Sequence, residues 1–414
     1  MKKSIAILCM LGCVFASCTR TYRSVGDTHL TVFEKEPVRW IPDSLGSFAP
    51  GGEDGVIHVG NGRIILRRLS VPKYLRDAKA SITVRLESAG DRWDKTGSVF
   101  VIPGSEAVNM MTVASGEAQY PALDSVSYES LKGVVPSGEY KPVTELLRFM
   151  TPFGVGFYSR RDTAKVSKTR PVYIDGWAPE AVWTEDITDR LPLLQGDCYV
   201  GVFIDTWTKE GYIASVDIDI EETGNEYTPL PKAHVVPLVN TMYYFGQDYP
   251  DIFSRKDLSM IFELPSAPSK AHLAYITTGH GGHGGGDEFT PQRNIVSVDG
   301  DAVLDFIPWR TDCASFRRFN PTSGTWADKR TAVYMGFTRR GPARIEKEIE
   351  ELVSSSDFSR SNWCPGSDVP PVIVPLENLT AGAHRLSISI PGSQPREGDK
   401  MNFWLVSTYL YWEE

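Results

Sequence analysis

The sequence predicts an all-β fold, two antiparallel sandwiches or jelly rolls, and two observations predict it. Short β-rich runs recur from His29 to the C-terminus, and a stretch bearing Gly, Asn and two prolines breaks them near Pro229 to Lys232. Composition agrees. Phe, Trp and Tyr make up 11% of the 414 residues, with 36 Gly and 28 Pro, a mixture suited to strands joined by tight turns.

In the first half the runs are "HLTVF", "GVIHVGNGRIIL", "ASITVRL", "GSVFVIPG", "CYVGVFIDTW" and "YIASVDIDI". In the last, Ile213, Ser215, Asp217 and Asp219 oppose Ala214, Val216, Ile218 and Ile220, the period of a half-buried strand. The break then sets domains at 26–228 and 229–414. The second half continues with "AHVVPLV", "LSMIFELP", "AHLAYITTG", "RNIVSVDG", "PPVIVPL", "HRLSISIPG" and "NFWLVSTYLYW". One segment differs: "GPARIEKEIEELVSS" places Ile345, Ile349 and Leu352 at helical spacing behind Pro342, which predicts a single surface helix.

Residues 1–18 are read as a targeting segment. Lys2 and Lys3 precede an apolar run from Ile5 to Phe15, too short to span a bilayer, and small residues then precede Cys18 in "FASC". The pattern resembles a bacterial lipoprotein signal, with Cys18 as the lipidated residue; ordinary secretion is the alternative. The expectation is an exported protein, either secreted or attached to the outer membrane or periplasmic face by its lipid alone. Export places the remaining cysteines in an oxidising compartment. One disulfide, Cys313 to Cys364, and one buried thiol, Cys198 in a strand-like run, is the simplest account. The net charge of −9 argues against a nucleic-acid partner, and a monomer is expected.

Four clusters gather acids, aromatics and arginine at turns. They are "ESAGDRWDKTGSVFV" with Asp91, Trp93, Asp94 and Lys95, "FIDTW" with Asp205 and Trp207, "GHGGHGGGDEF" with His280 and Glu288, and "FSRSNWCPG" with Arg360 and Trp363. Taken alone, an acid on a loop is usually just solvated, and a Trp at a strand end is more often core than a ligand platform. The third cluster admits a further reading, with His280, His283 and Asp287 or Glu288 on a metal. Zinc sites favour rigid elements over glycine-rich loops, so a metal-free loop is preferred here.

Together, "GDRWDKTGSVFV", "LLRFMTPFGVG", "VFIDTWTKEGYIASVDIDI", "TTGHGGHGGGDEF" and "SRSNWCPG" resemble, in order and across both halves, the peptide-N-glycosidase F family. The resemblance implies two side-by-side jelly rolls with a site between them. It implies an amidase, needing no metal or cofactor, that cuts the bond between asparagine and the innermost N-acetylglucosamine of N-linked glycoproteins or glycopeptides. Asp94, Asp205 and Glu288 fall on the family's carboxylates. Asp91, Trp93, Lys95, Trp207, His280, Arg360 and Trp363 fall on or beside binding positions, with His280 structuring its turn. The chain departs from the pattern in carrying Asp205 for Glu, in flanking Glu288 with Asp287 and Phe289 rather than Cys and Trp, and in insertions between Gly104 and Pro142 and between Asn320 and Phe358. Two other readings are a non-catalytic glycan- or glycoprotein-binding lipoprotein and a metal-dependent hydrolase.

Overall fold

A computed structural model describes residues 20–121, 131–155, 177–282, 285–321 and 326–414. Residues 1–19, with Cys18 and the expected targeting signal, lie outside the described residues, as does His283.

The chain is two antiparallel jelly rolls. Strands between Thr28 and Glu222 form a four-stranded sheet, ordered Thr28–Val38, Tyr212–Glu222, Ala78–Ser88, Glu180–Asp186, and a six-stranded sheet. The second of these is ordered Phe48–Ala49, Val56–Val59, Ile64–Val71, Gly196–Ile204, Thr96–Pro103, Thr144–Met150. Strands between Ala233 and Glu413 form two more four-stranded sheets, one of them centred on Phe403–Glu413 and Lys270–His280.

Alternation decides which face is buried. In Tyr212–Glu222 the side chains of Ala214, Val216, Ile218 and Ile220 are buried at 1% exposure or less and meet Val84, Ile82 and Val32 in the first core. In the second roll, Leu258, Met260, Phe262 and Leu264 alternate with outward residues and pack with Leu273, Leu386 and Ile388. Burial of such side chains contributes roughly 1.5–3 kcal/mol each.

A third cluster crosses the seam. Val59, Ile64, Leu66, Phe100 and Phe203 of the six-stranded sheet pack with Met242, Tyr243, Tyr244, Phe403 and Leu405 of the second roll. At its edge Arg148 and Glu145 form an ion pair with no exposure at either side chain. Arg148 Nη1 donates to the Leu405 carbonyl at 2.7 Å, joining the two rolls.

The predicted surface helix is absent. Gly341–Val353 is a strand, paired with Trp326–Thr338 from Trp326↔Val353 to Thr338↔Gly341. Arg339 and Arg340 make the turn, and Gly341 takes φ +112°. Ile345 and Ile349, four residues apart, share a side of a strand as readily as of a helix, and only Leu352, an odd number of positions from both, favoured the helix.

Cys313 and Cys364 are bonded, and Cys198 is a buried free thiol, as read from the sequence. The bridge spans 51 residues and ties Cys313–Phe319 to the turn that follows Trp363. Links of that kind contribute about 2–4 kcal/mol.

Candidate active site

Each roll delivers its acids at the same end of the seam. In the first, Asp94 lies two residues before the strand Thr96–Pro103 and Asp205 follows Gly196–Ile204, its neighbour in the sheet. The Asp205 amide donates to the Thr96 carbonyl at 3.0 Å, so the register of two strands sets the spacing of two acids. Their loops are tied together by Asp91. It is fully buried and accepts from Thr206 Oγ1 at 2.7 Å and from the Trp93 amide at 3.1 Å. The hydroxyls of Tyr212 and Thr151 donate to the Trp93 carbonyl from behind.

In the second roll, Lys270–His280 runs into the glycine-rich loop, which returns as Asp287 and Glu288. The glycines are needed for close approach. Gly281 has φ +115°, and a Cβ there would sit 2.4 Å from Asn402 Oδ1. A Cβ on Gly286 would lie 2.0 Å from the Gly281 carbonyl oxygen. The folded-back loop places Gly282 and Glu288 on one wall of a cleft of about 360 Å³. Asp94, Lys95, Asp205, His280 and Trp363 also line that cleft, with Tyr243, Asp399, Met401 and Phe403.

Arg360 joins the rolls at the chemical centre. Its Nε donates to Glu288 Oε1 at 2.8 Å and its Nη2 lies 3.5 Å from Asp94 Oδ2. Nη1 donates to the carbonyls of Ser355 and Phe358, and the guanidinium packs over Phe289 and Trp363 at 4.8 and 4.7 Å. With 3% of its side chain exposed, Arg360 stands behind the carboxylates rather than on the cleft wall. Burial raises Glu288 to about 7 against the pull of Arg360, and Asp94 adds to the rise. Burial also lifts Asp94 above the ordinary carboxylate range, opposed first by Arg360. Two buried acids that share one cation titrate as a coupled pair rather than independently.

Asp205 has its own set of donors: Arg63 Nη1 at 3.1 Å, Trp207 Nε1 at 2.9 Å and the Tyr243 hydroxyl at 2.9 Å. Burial raises it, and Lys95 and Arg63 oppose the rise. Trp207 stays 47% exposed beside the cleft, with the Arg63 guanidinium 4.0 Å from its ring.

The remaining candidates divide. His280 is stacked between Trp363 and Phe403, hydrogen-bonded through Nε2 to Thr278 Oγ1, and held down to about 3 by burial and by Arg148 and Arg360. It is a neutral strut. Trp363 is buried and donates to the Gly279 carbonyl, leaving an edge at the cleft. Trp93 is 46% exposed, packs on Phe153 and is not part of the cleft wall. Among the described residues no group of three His, Cys, Asp or Glu side chains is placed to hold a metal. Asp287, offered as a ligand from sequence, accepts four hydrogen-bond donors of the protein instead.

Sequence reasoning missed Arg63, Tyr243, Asp399, Met401 and Phe403. Arg63 opens the run "RIIL" and Phe403 opens "FWLVSTYLYW", where each reads as the start of a strand. Nothing local marks Arg63 as a partner of Asp205 or Phe403 as part of the cleft wall.

The fold and this site define a paired jelly-roll protein with carboxylates from both rolls converging on one cleft. The models of the N-terminal and C-terminal domains of peptide-N-glycosidase F match residues 29–220 and 248–411. The chain belongs to the peptide-N-glycosidase F family. The amidase F of Elizabethkingia miricola, peptide-N(4)-(N-acetyl-beta-D-glucosaminyl)asparagine amidase, is 23% identical over 58% of this chain and 55% of its own length. The structure of PNGF-II is similar with a TM-score of 0.75 and 33% identity, covering 94% of this chain and 66% of that one. PNGase F of Flavobacterium meningosepticum, described as a glycosylasparaginase, shares the fold at a TM-score of 0.57 and 16% identity, over 94% and 96% of the two chains. The chain thus spans just over half the length of the curated relative and about two thirds of PNGF-II.

Proposed function

We propose that this chain hydrolyses the amide between asparagine and the innermost N-acetylglucosamine of N-linked glycoproteins or glycopeptides, releasing the intact glycan as glycosylamine and leaving aspartate. The bridge Asp94–Arg360–Glu288 carries the reading, because it brings an acid from each roll, both raised above their ordinary values by burial, together at the cleft.

Water must attack the amide carbonyl carbon, negative charge must be met on the oxygen, and the departing nitrogen must gain a proton as the C–N bond breaks. Asp94, ionised, accepts the proton of the attacking water. Glu288, protonated below about 7, hands a proton to the leaving nitrogen. Arg360 keeps the two acids in place and prevents both from becoming neutral. Lys95, on the cleft wall near Asp94 and Asp205, is the cation available to the developing oxyanion. Asp205, fixed by three donors, and the exposed face of Trp207 receive the sugar, whose C–H groups pack on indole while its hydroxyls find the carboxylate.

Mass spectrometry of a defined N-glycopeptide incubated with the soluble protein tests this. Intact glycan release with Asn converted to Asp is expected. Asp94→Asn should lower the rate by about a hundred- to ten-thousand-fold while leaving the fold intact. An unchanged rate in that variant removes Asp94 from the chemistry. Binding of high-mannose and complex glycopeptides without any conversion would identify a glycan-binding protein instead.

A further inference from the structure

We infer that Asp287 is a positioning residue for the cleft, an ionised anchor that locks the loop carrying Glu288 to the loop carrying Asp399 and Met401. The role assigned to Glu288 is the one proposed above, and the inference rests on that reading for its kinetic consequence alone.

Asp287 has no solvent exposure. Its Oδ2 accepts from Trp404 Nε1 at 3.0 Å, from the Gln394 amide at 3.0 Å and from Ser393 Oγ at 3.2 Å. Its Oδ1 accepts from Gln292 Nε2 at 3.2 Å. Three of these partners, an indole N–H, a backbone N–H and a side-chain amide NH2, can only donate. Both oxygens therefore accept, which suits the carboxylate: Asn offers a single acceptor oxygen, and a protonated Asp would turn its O–H toward a neighbouring donor. Burial holds the carboxyl above its ordinary value, although the donors, led by the Gln394 amide, oppose that rise.

What the anchor joins is specific. Asp287 precedes Glu288, whose amide donates to the Gly281 carbonyl and whose own carbonyl accepts from the Ser361 amide beside Arg360. Ser361 Oγ donates to the Asp287 carbonyl, bringing the Arg360 segment into the same knot. On the other side, Ser393 and Gln394 begin the segment that turns at Glu397–Lys400 and returns with Asp399 and Met401 on the cleft wall. Asn402 closes the knot, its Oδ1 accepting from the Asp287 amide and its Nδ2 donating to the Pro395 carbonyl. Among the described residues the disulfide Cys313–Cys364 lies in neither loop. One buried charge thus sets the depth at which Glu288 sits and the position of the opposite lip.

The test is Asp287→Asn in the soluble protein, read by hydrogen exchange and by the pH dependence of kcat on a defined N-glycopeptide. Amides in 285–289 and 394–402 should exchange at least ~10-fold faster than in the parent, while those of the strands keep their protection. The kcat should fall ~10-fold or more, and the limb set by Glu288 should move to lower pH, because a loosened loop admits water to its carboxyl. A uniform loss of stability would leave that limb where it is. Parental exchange and an unmoved limb would overturn the inference. If Asp287→Asn does not fold, Trp404→Phe removes one donor while keeping the ring, and the same two loops should loosen to a smaller extent. Should the parent release no glycan, the proposed function fails, and the exchange comparison still decides for or against the anchor.

Discussion

Glu288 carries the site's sharpest chemical consequence. Its folded pKa of about 7 lies above the ordinary value of 4.5, so it is neutral at mildly acid pH and ionises as pH rises through about 7. If the neutral form supplies the proton, kcat falls on the alkaline side of that value. On the acid side the rate falls when Asp94 takes a proton and stops accepting one. The two limbs belong to the coupled pair rather than to either acid alone. Glu288→Gln should lower kcat roughly a hundredfold and abolish the alkaline limb, because the amide has nothing to lose on titration. A pH–rate profile of that variant with the alkaline limb intact would assign the proton to another group. The acids themselves were legible as candidates through the resemblance, which placed Asp94, Asp205 and Glu288 on the family's carboxylates. The residues that tune them were not. Arg63 and Tyr243 meet Asp205 from 142 and 38 positions away, and only the pairing of strands brings them there. Arg360, which the resemblance set on a binding position, donates through Nε to Glu288 and through Nη1 to the carbonyls of Ser355 and Phe358, with Asp94 3.5 Å from Nη2.

The largest misreading concerned one element, the segment 341–353. Strand and helix both bring residues four apart to a common side, and the charges between Ile345 and Ile349 fit an exposed position in either. The partner strand Trp326–Thr338 decides it, and that run carries no clean alternation to announce itself. The resulting hairpin forms a separate two-stranded sheet, and none of residues 331–350 is buried. Thirteen residues a side at roughly 3.3 Å each carry it about 43 Å from its root. The span 331–350, with none of its side chains buried, contributes little to the stability of the rolls. Replacing 331–348 by a short Gly-Ser turn, which keeps the root and the Ser355 and Phe358 carbonyls, should leave the melting temperature within ~2 °C of the parent. A drop beyond ~5 °C in differential scanning fluorimetry would show that the arm packs on the body in solution.

At the scale of the whole molecule the two rolls depend on one another, because neither holds the Asp94–Arg360–Glu288 bridge alone. The seam core is continuous across them, and the fully buried pair Glu145–Arg148 sits within it, reaching Ser98 in one roll and Leu405 in the other. Calorimetry should therefore record a single unfolding transition, and two separate transitions would refute a shared core. Arg148→Met leaves Glu145 buried without its cation and should cost about 3–5 kcal/mol. That variant should also lose turnover, since the rolls that slip are the ones bearing Asp94 and Glu288. The double variant Glu145→Leu, Arg148→Met buries no uncompensated charge and should regain most of the lost stability. It would not regain the bond to the Leu405 carbonyl, which is what fixes one roll against the other. Stability restored with turnover still depressed would separate the two tasks of Arg148, neutralising a buried acid and setting the angle of the cleft. Turnover restored along with stability would mean that apolar packing alone holds the rolls in register.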